Sequence, residues 1–296
     1  MPSNSAMRIL RLQPLPISVL PFHPALQHKN SADHPSTRSF ARTLLNQAAE
    51  LSSEVPTWEK AGVTNSLETG SVDTAIYQHT ITPPGEAEKE HWVARISRHE
   101  NKPVASAASY AEFRRGIKDE SNKHELEYIP PMESYNELVR YEGLEGDLAD
   151  LGAVAEIKEV DIRVYENIYK MAPSLPRFAI PVLIVTALTS DSSFLVVTVP
   201  VTDTSVLLKS RIPELAGPDG ILTYFTAVTK VRVIEEGQVE WMLATAVEGT
   251  LGMSREQQAE MMKEEVARDV GRFVDWVAGK REGEGKDWEG DAIVVG

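Results

Sequence analysis

Residues 221–277 decide the fold, and they read ILTYFTAVTKVRVIEEGQVEWMLATAVEGTLGMSREQQAEMMKEEVARDVGRFVDWV. Near the middle of this stretch, apolar side chains alternate with polar ones, which is the period of a β-strand. The apolar face carries Val239, Trp241, Leu243 and Val247, and the other face carries Gln238, Glu240 and Glu248. This alternation predicts a strand that is buried on one face.

A second strand, whose apolar side chains also share one parity, precedes the first and begins at Ile221. The two apolar faces coincide if Val231 lies opposite Trp241, and that register leaves residues 235–237 as the loop. Three-residue hairpin loops favour a type I turn followed by a left-handed residue, and Gly237 occupies that position. The spacing therefore predicts an antiparallel hairpin.

A helix should begin after the hairpin, because Ser254 and Gln257 have the spacing of a capping box. Apolar residues then recur at helical spacing: Met262, Val266, Val270, Phe273, Val274 and Val277. The acidic residues between positions 256 and 269 are assigned to the solvated face of this helix. Because the nearest apolar surface is the hairpin, we expect the helix to lie across a curved antiparallel sheet.

The composition limits the classes of partner. The chain has 296 residues, of which 42% are hydrophobic, so one large domain with a sizeable core is expected. Lys and Arg number 30 and Asp and Glu number 44, which gives a net charge of −14. This charge repels phosphate backbones, so we expect no nucleic-acid partner. No apolar run approaches the roughly 20 residues of a membrane-spanning helix.

The chain contains no cysteine, which excludes disulfides, thiolate metal sites and cysteine nucleophiles. It also has no Asn-x-Ser/Thr acceptor and no recognisable signal peptide. These features together predict a cytoplasmic protein.

We divide the chain into an extended N-terminal arm and loop (1–38), a single domain (39–281) and a mobile tail (282–296). The arm is expected to pack Leu15, Ile17, Leu20 and Phe22 on the body of the protein. The domain is predicted to contain a helix at 40–51, strands at 68–81 and 90–98, two short helices at 110–117 and 119–128, a glycine-bearing connection at 140–158, and strands at 160–171, 179–188 and 193–201.

Four stretches carry a resemblance to a known family: HWVARISRHE (91–100), SYAEFRRGI (109–117), IYKMAPSLPRFAIPVLIVTA (168–187) and EWMLATA (240–246). They resemble an uncharacterised, mainly fungal family that is related to the START lipid-transfer domains. The resemblance implies an α+β, START-like helix-grip fold, in which a curved antiparallel sheet wraps around a long C-terminal helix and leaves a cavity. Relatives bind sterols, phospholipids, polyketides or plant hormones, and some members of the superfamily are cyclases.

The most polar cluster expected near the cavity edge consists of Tyr165, Tyr169, Lys170 and Arg177. These side chains could hydrogen-bond the carbonyl or carboxylate of a ligand, and a buried lysine could serve as a base. The alternative is structural. In that case Arg177 pairs with a carboxylate and fixes the turn after Pro176, while Lys170 extends into water.

Two further candidates are apolar. Trp241 is expected to be core or cavity wall. Met262, with Met261, is expected either at the cavity mouth, where flexible thioethers adapt to ligands, or in plain core. Trp92 and Arg95 lie on opposite faces of one strand, so at most one of them faces a cavity.

Motifs for metal, nucleotide or nucleophile chemistry are missing from the sequence. There is no HExxH, no P-loop and no GxSxG elbow, and all seven histidines lie at or before His124. We therefore predict no metal and no cofactor, and we leave the catalytic residues unassigned.

Three functions remain open. The first is binding of a hydrophobic small molecule (a lipid, sterol or polyketide) between the sheet and the last helix, with Tyr169, Lys170 or Arg177 orienting one polar end. The second is a cofactor-independent cyclase or isomerase that acts on a polyketide or terpenoid in secondary metabolism, with Tyr or Lys transferring the proton. The third is a non-catalytic interaction module whose cavity is filled by its own side chains. Protein partners are not predicted.

Overall fold

The computed structural model describes residues 8–26, 33–65, 72–83, 88–142, 144 and 157–284. Parts of four predicted segments lie outside these described residues. They are the ends of the arm and loop (1–7 and 27–32), the start of the strand at 68–81, most of the connection at 140–158, and residues 285–296 of the tail. The division into arm, domain and tail stays a prediction.

Strands in the described part of the chain form one ten-stranded sheet. They are β1 Glu59–Asn65, β2 Asp73–Ile81, β3 Glu90–Glu100, β4 Met132–Tyr141, β5 Lys158–Tyr169, β6 Phe178–Ser190, β7 Ser193–Pro200, β8 Ile221–Leu222, β9 Phe225–Ile234 and β10 Gln238–Val247. The order is β1-β2-β3-β10-β9-β7-β6-β5-β4, and every pair along it is antiparallel. β8 pairs with β6 in parallel. Because β3 pairs with β10, the N-terminal and C-terminal strands are adjacent in the middle of the sheet.

The helices are α1 Thr37–Glu54, α2 Tyr110–Phe113, α3 Ser121–Tyr128, α4 Ile212–Leu215 and α5 Arg255–Glu284. A π-helical turn, Arg114–Lys118, continues α2. A capping box begins α2, since Ser109 and Glu112 exchange both hydrogen bonds. The predicted helices at 40–51 and 119–128 correspond to α1 and α3.

The predicted hairpin has the expected register, with Val231 opposite Trp241. Gly237 has φ +69°, the left-handed conformation that the loop position requires. One part of the prediction is wrong: Ile221 belongs to the separate strand β8, where it pairs with Phe178 rather than with β10.

The predicted capping box of the last helix is also present. The Ser254 backbone N–H donates to Gln257 Oε1 over 2.9 Å, and the Gln257 N–H donates to Ser254 Oγ over 3.2 Å. The helix that begins there, α5, packs on β2, β3 and β10. The prediction of a long helix lying across an antiparallel sheet is therefore confirmed.

The prediction that β10 is buried on one face only is wrong, because the sheet has a core on each side. The inner core, between the sheet and α2, α3 and α5, includes Val239 and Trp241. The outer core, between the sheet and α1 with the N-terminal arm, includes Met242, Ala244 and Ala246. Strands buried on both faces have nearly continuous apolar sequences, and the described N-terminal arm explains why the second face is covered.

The arm forms part of this outer layer. Leu15 and Leu20 have no exposed surface, whereas Ile17 and Phe22 are half-buried. The Leu15 N–H donates to the Pro200 carbonyl over 2.8 Å, at the end of β7.

Candidate functional site

The inner face of β3 is polar, although it is covered by α5. Arg95, Ser97 and His99 alternate along this face, and all three are buried. Across the sheet, Arg95 lies opposite Ile76 on β2 and Leu243 on β10. The middle of the sheet therefore presents three hydrogen-bonding side chains to the protein interior.

Arg95 is a buried cation without a hydrogen-bonding partner. It is 0% exposed, and its Nε and both Nη atoms have no hydrogen bond to any described residue. The guanidinium carbon lies 3.6 Å from the centre of the Trp241 ring, a cation–π contact. Burial lowers the pKa of Arg95 to about 10, and the nearby carboxyl of Asp269 opposes that shift. Arg95 therefore still carries its charge at neutral pH.

His99 lies beside this cation and is held neutral. Its Nε2 is 2.9 Å from Ser97 Oγ, and its ring contacts the edge of Phe113 at a centroid distance of 5.1 Å. Burial, and secondly the charge of Arg95, lowers the pKa of His99 to about 3. Its Nδ1 has no hydrogen-bonding partner in the described structure.

Two carboxyl groups face the same interior from the helices. Burial raises the pKa of Glu125, on α3, to about 7, and Asp269 on α5 adds to this shift. Burial also raises the pKa of Asp269, while Arg95 and Arg272 oppose the shift. The Asp269 carboxylate accepts a hydrogen bond from Arg272 over 2.9 Å. Tyr128 and Tyr169 complete this group, and burial raises the pKa of both hydroxyls.

A cleft of about 390 Å³ lies between the edge strand β1 and α5. Strand β1 contributes Ala61, Gly62, Val63 and Thr64 to its lining, β2 contributes Ile76, and α5 contributes Ala267 and the charged residues Lys263, Glu264 and Arg268. Ile76 is also the direct cross-strand neighbour of Arg95, so one residue of the cleft lining adjoins the strand position of the buried cation.

The structure does not bring the four predicted polar residues into one cluster. Arg177 is exposed and pairs with Glu133 over 2.5 Å. The ammonium of Lys170 donates to the carbonyl of Leu175 in the turn after β5. The hydroxyl of Tyr165 accepts from Arg163 Nη1 over 3.1 Å. For Arg177 this is the structural alternative that the sequence left open, whereas Lys170 binds a backbone carbonyl instead of extending into water.

The other predicted residues take different places. Tyr169 packs against the inner core near Glu125, and Trp241 lies within that core. Met262 packs against Ile76 and its apolar neighbours, while Met261 is 57% exposed.

Sequence reasoning missed Arg95, His99, Glu125 and Asp269 as interior groups. The alternation in HWVARISRHE shows that Arg95 and His99 share a face, but a polar face on one strand is equally typical of a solvent-exposed surface. Asp269 was assigned to the solvated face of its helix, and this assignment is wrong, since its side chain is only 22% exposed.

These features define the class of protein. A long C-terminal helix that packs on a large antiparallel sheet is the START-like helix-grip fold. Residues 92–277 match the family model described as protein of unknown function (DUF3074). This match covers more than half of the sequence, and the chain belongs to that family.

Solved structures with a similar fold include human STARD10, with a TM-score of 0.51, 7% sequence identity, and coverage of 89% of this chain and 85% of that one. Human StAR-related lipid transfer protein 5 has a TM-score of 0.48, 9% identity, and coverage of 83% and 99%. At such low identity, the similarity with STARD10 is one of fold. No curated protein sequence matches this chain.

Within the described residues, no helix combines the length and apolar character needed to cross a membrane. The same part of the chain contains no group of His, Asp and Glu side chains arranged to hold a metal ion.

Proposed function

We propose that the protein binds a hydrophobic small molecule, such as a lipid, sterol or polyketide, between its sheet and α5. The observation that carries this proposal is the cleft of about 390 Å³ between β1 and α5. Sites for small ligands are concave, with volumes of about 300–1,000 Å³. The START-like fold supports the proposal, because the sequence resembles a family related to START domains, which transfer lipids.

Apolar burial would supply most of the binding free energy, at about 25 cal/mol for each Å² removed from water. Of the residues predicted to orient a polar end of the ligand, Arg177 and Lys170 already bind protein groups. Tyr169 also has a side-chain hydrogen bond, to Asn167, and none of the three residues lines the cleft. A cytoplasmic location, a fungal source and a role in secondary metabolism stay predictions from the sequence.

The proposal is tested by measuring whether a small molecule occupies the cleft. The purified protein is measured by native mass spectrometry, extracted with organic solvent and then reloaded with an identified ligand. Gly62→Trp places an indole in the cleft, where a Cβ atom would meet nothing within 4 Å. Gly279→Trp, on α5, is the matched control, because its Cβ would also meet nothing within 4 Å and it does not line the cleft.

We expect a stoichiometric ligand on the wild-type protein and on Gly279→Trp, and its loss from Gly62→Trp. A protein that stays empty with a broad lipid and polyketide panel would instead support the non-catalytic interaction module. A ligand that binds all three proteins equally would place binding outside the cleft.

A second function, the cofactor-independent cyclase or isomerase, is favoured by one specific observation. The Glu125 carboxyl has a pKa of about 7, and general acid–base catalysis works best when the pKa is near the working pH. Glu125 is thus a better proton-transfer group than Tyr169, whose pKa is raised.

This alternative predicts that Glu125→Gln abolishes turnover of a bound substrate while leaving its binding intact. Glu127→Gln on the same helix is the control, since Glu127 instead binds Trp276 Nε1 over 3.0 Å. If product forms equally with both variants, Glu125 is not the proton-transfer group.

A further inference from the structure

Arg95 differs from Arg281, another arginine whose side chain is largely buried. Arg281, whose side chain is 11% exposed, binds the carboxylate of Glu112 and the carbonyls of Val104 and Ala107. Arg95 is more deeply buried and has none of these contacts. An isolated buried charge is costly, and proteins normally neutralise it with a counter-ion or hydrogen bonds.

None of the described residues gives Arg95 a hydrogen-bonded counter-ion. The nearby carboxyl of Asp269 accepts from Arg272, and no hydrogen bond joins it to Arg95. The imidazole of His99 adds no charge, because it is neutral at physiological pH. The inner face of β3 therefore carries one positive charge that has the Asp269 carboxyl nearby but no hydrogen bond to any described residue.

The chemistry of the site favours one kind of anion. Trp241 covers one face of the guanidinium plane, at 3.6 Å, so a partner binds at the edge, where the N–H groups point. A planar fork of N–H donors matches a carboxylate, which accepts two parallel hydrogen bonds. A single positive charge near the carboxyl group of Asp269 favours a monoanion over a dianion.

Arg95 does not line the cleft between β1 and α5, but its cross-strand neighbour Ile76 does. Ile76, which lines the cleft, is 5% exposed and lies opposite Arg95 on the neighbouring strand. Because the guanidinium has no exposed surface, the site is closed in this conformation, and an anion that entered from the cleft would have to displace the Ile76 side chain.

We propose that Arg95 is an anion-binding residue that pairs with the carboxylate of a hydrophobic carboxylic acid whose apolar body occupies the cleft between β1 and α5. This inference rests on the proposed function and specifies its ligand as a carboxylic acid. The guanidinium neutralises the carboxylate, and the apolar chain covers Ile76 and Ala267.

The experiment compares dodecanoic acid, dodecan-1-ol and dodecylphosphocholine by isothermal titration calorimetry, each below its critical micelle concentration. The proteins are the wild type, Arg95→Met, Arg95→Lys and the control Arg98→Met. Arg98 is on the same strand but the opposite face, with 63% of its side chain exposed, and it pairs with Glu240.

We expect the wild type to bind dodecanoate at least tenfold more tightly than dodecanol. Arg95→Met should lower the dodecanoate affinity to that of dodecanol, and Arg95→Lys should retain only part of the preference, because it keeps the charge but not the fork. Arg98→Met should bind like the wild type. If Arg95→Met does not fold, the inference is tested by two measurements: the preference of the wild type for dodecanoate over dodecanol, and the reduction of that preference in Arg95→Lys.

Three results would overturn the inference: equal binding of acid and alcohol by the wild type, a preference that survives in Arg95→Met, or tightest binding of the phosphodiester. The first leaves the proposed function intact, because a neutral hydrophobic ligand still binds. Failure of all three ligands to bind the wild type would count against the proposed function itself.

Discussion

His99 is a buried imidazole whose surroundings favour its neutral form. Its pKa, about 3 in the folded protein, is far below the ordinary value of 6.5. Between pH 6.5 and 3, the imidazole of His99 binds a proton in the unfolded chain but not in the folded protein. The contribution of neutral His99 to the free energy of unfolding is therefore complete above pH 6.5 and is lost as the pH falls towards 3. Each unit of pKa difference corresponds to about 1.4 kcal/mol.

We therefore expect His99→Gln to lose less stability than the wild type between pH 6.5 and 4, the range accessible to urea denaturation. The carboxyl of Glu125, with its raised pKa of about 7, acts in the opposite direction between pH 7 and its ordinary value, but equally in both proteins. The difference between the two stability curves isolates His99. Parallel curves over this range would show that the imidazole is protonated in the folded protein.

At the scale of elements, the end of α5 is joined to the start of α2 by one arginine. Arg281 Nη2 donates to the Ala107 carbonyl over 2.7 Å and to Glu112 Oε2 over 2.9 Å. The Glu112 side chain is 0% exposed and also closes the capping box with Ser109. Loss of Arg281 would leave this buried carboxylate without its counter-ion.

Arg281→Met is thus expected to lower the free energy of unfolding by about 3 kcal/mol, at the low end for a broken buried ion pair, because Ser109 still donates to the carboxylate. The control is Lys280→Met, one residue earlier, whose partially exposed pair with Glu127 should contribute at most about 1 kcal/mol. Guanidinium denaturation measures both. If the free energy of unfolding falls by a similar amount in both variants, the contacts of Arg281 do not stabilise the packing of α5 against α2.

At the scale of the whole molecule, the sheet is stable only if both of its faces are covered. The N-terminal arm covers part of the outer face through Leu15, which is 0% exposed and exchanges backbone hydrogen bonds with Pro200 and Thr202. If the domain were equally stable without the arm, truncating the Leu15 side chain would not change its free energy of unfolding.

We expect Leu15→Ala to destabilise the protein by about 2–5 kcal/mol, the usual range for a leucine truncated in a core. Leu208→Ala is the same substitution at a fully exposed position, and it should change the stability by less than about 0.5 kcal/mol. Thermal unfolding compares the two. A small effect at Leu15 would show that the arm is dispensable for the fold.

Local patterns account for the parts of the fold that were predicted correctly. The register of β9 and β10, the turn at Gly237 and the start of α5 at Ser254 each depend on residues close together in sequence. Strand β1 was missed because EKAGVTN, at the edge of the sheet, lacks the alternation of a half-buried strand. Strand β4 was missed because most of MESYNELVRY is polar or only half-buried.

The sequence by itself determined the α+β class, the hairpin, the long C-terminal helix and the resemblance to START-like proteins, because periodicity, capping and turn chemistry act over a few residues. Only the tertiary structure decided which faces are buried, since the second face of β10 lies in a core shared with α1 and the N-terminal arm, segments far earlier in the chain. It also decided that Arg95, rather than Lys170 or Arg177, lies in the interior without a hydrogen bond to any described residue. Whether a charged side chain meets water or protein depends on what packs over its strand, and neighbours in sequence do not specify that.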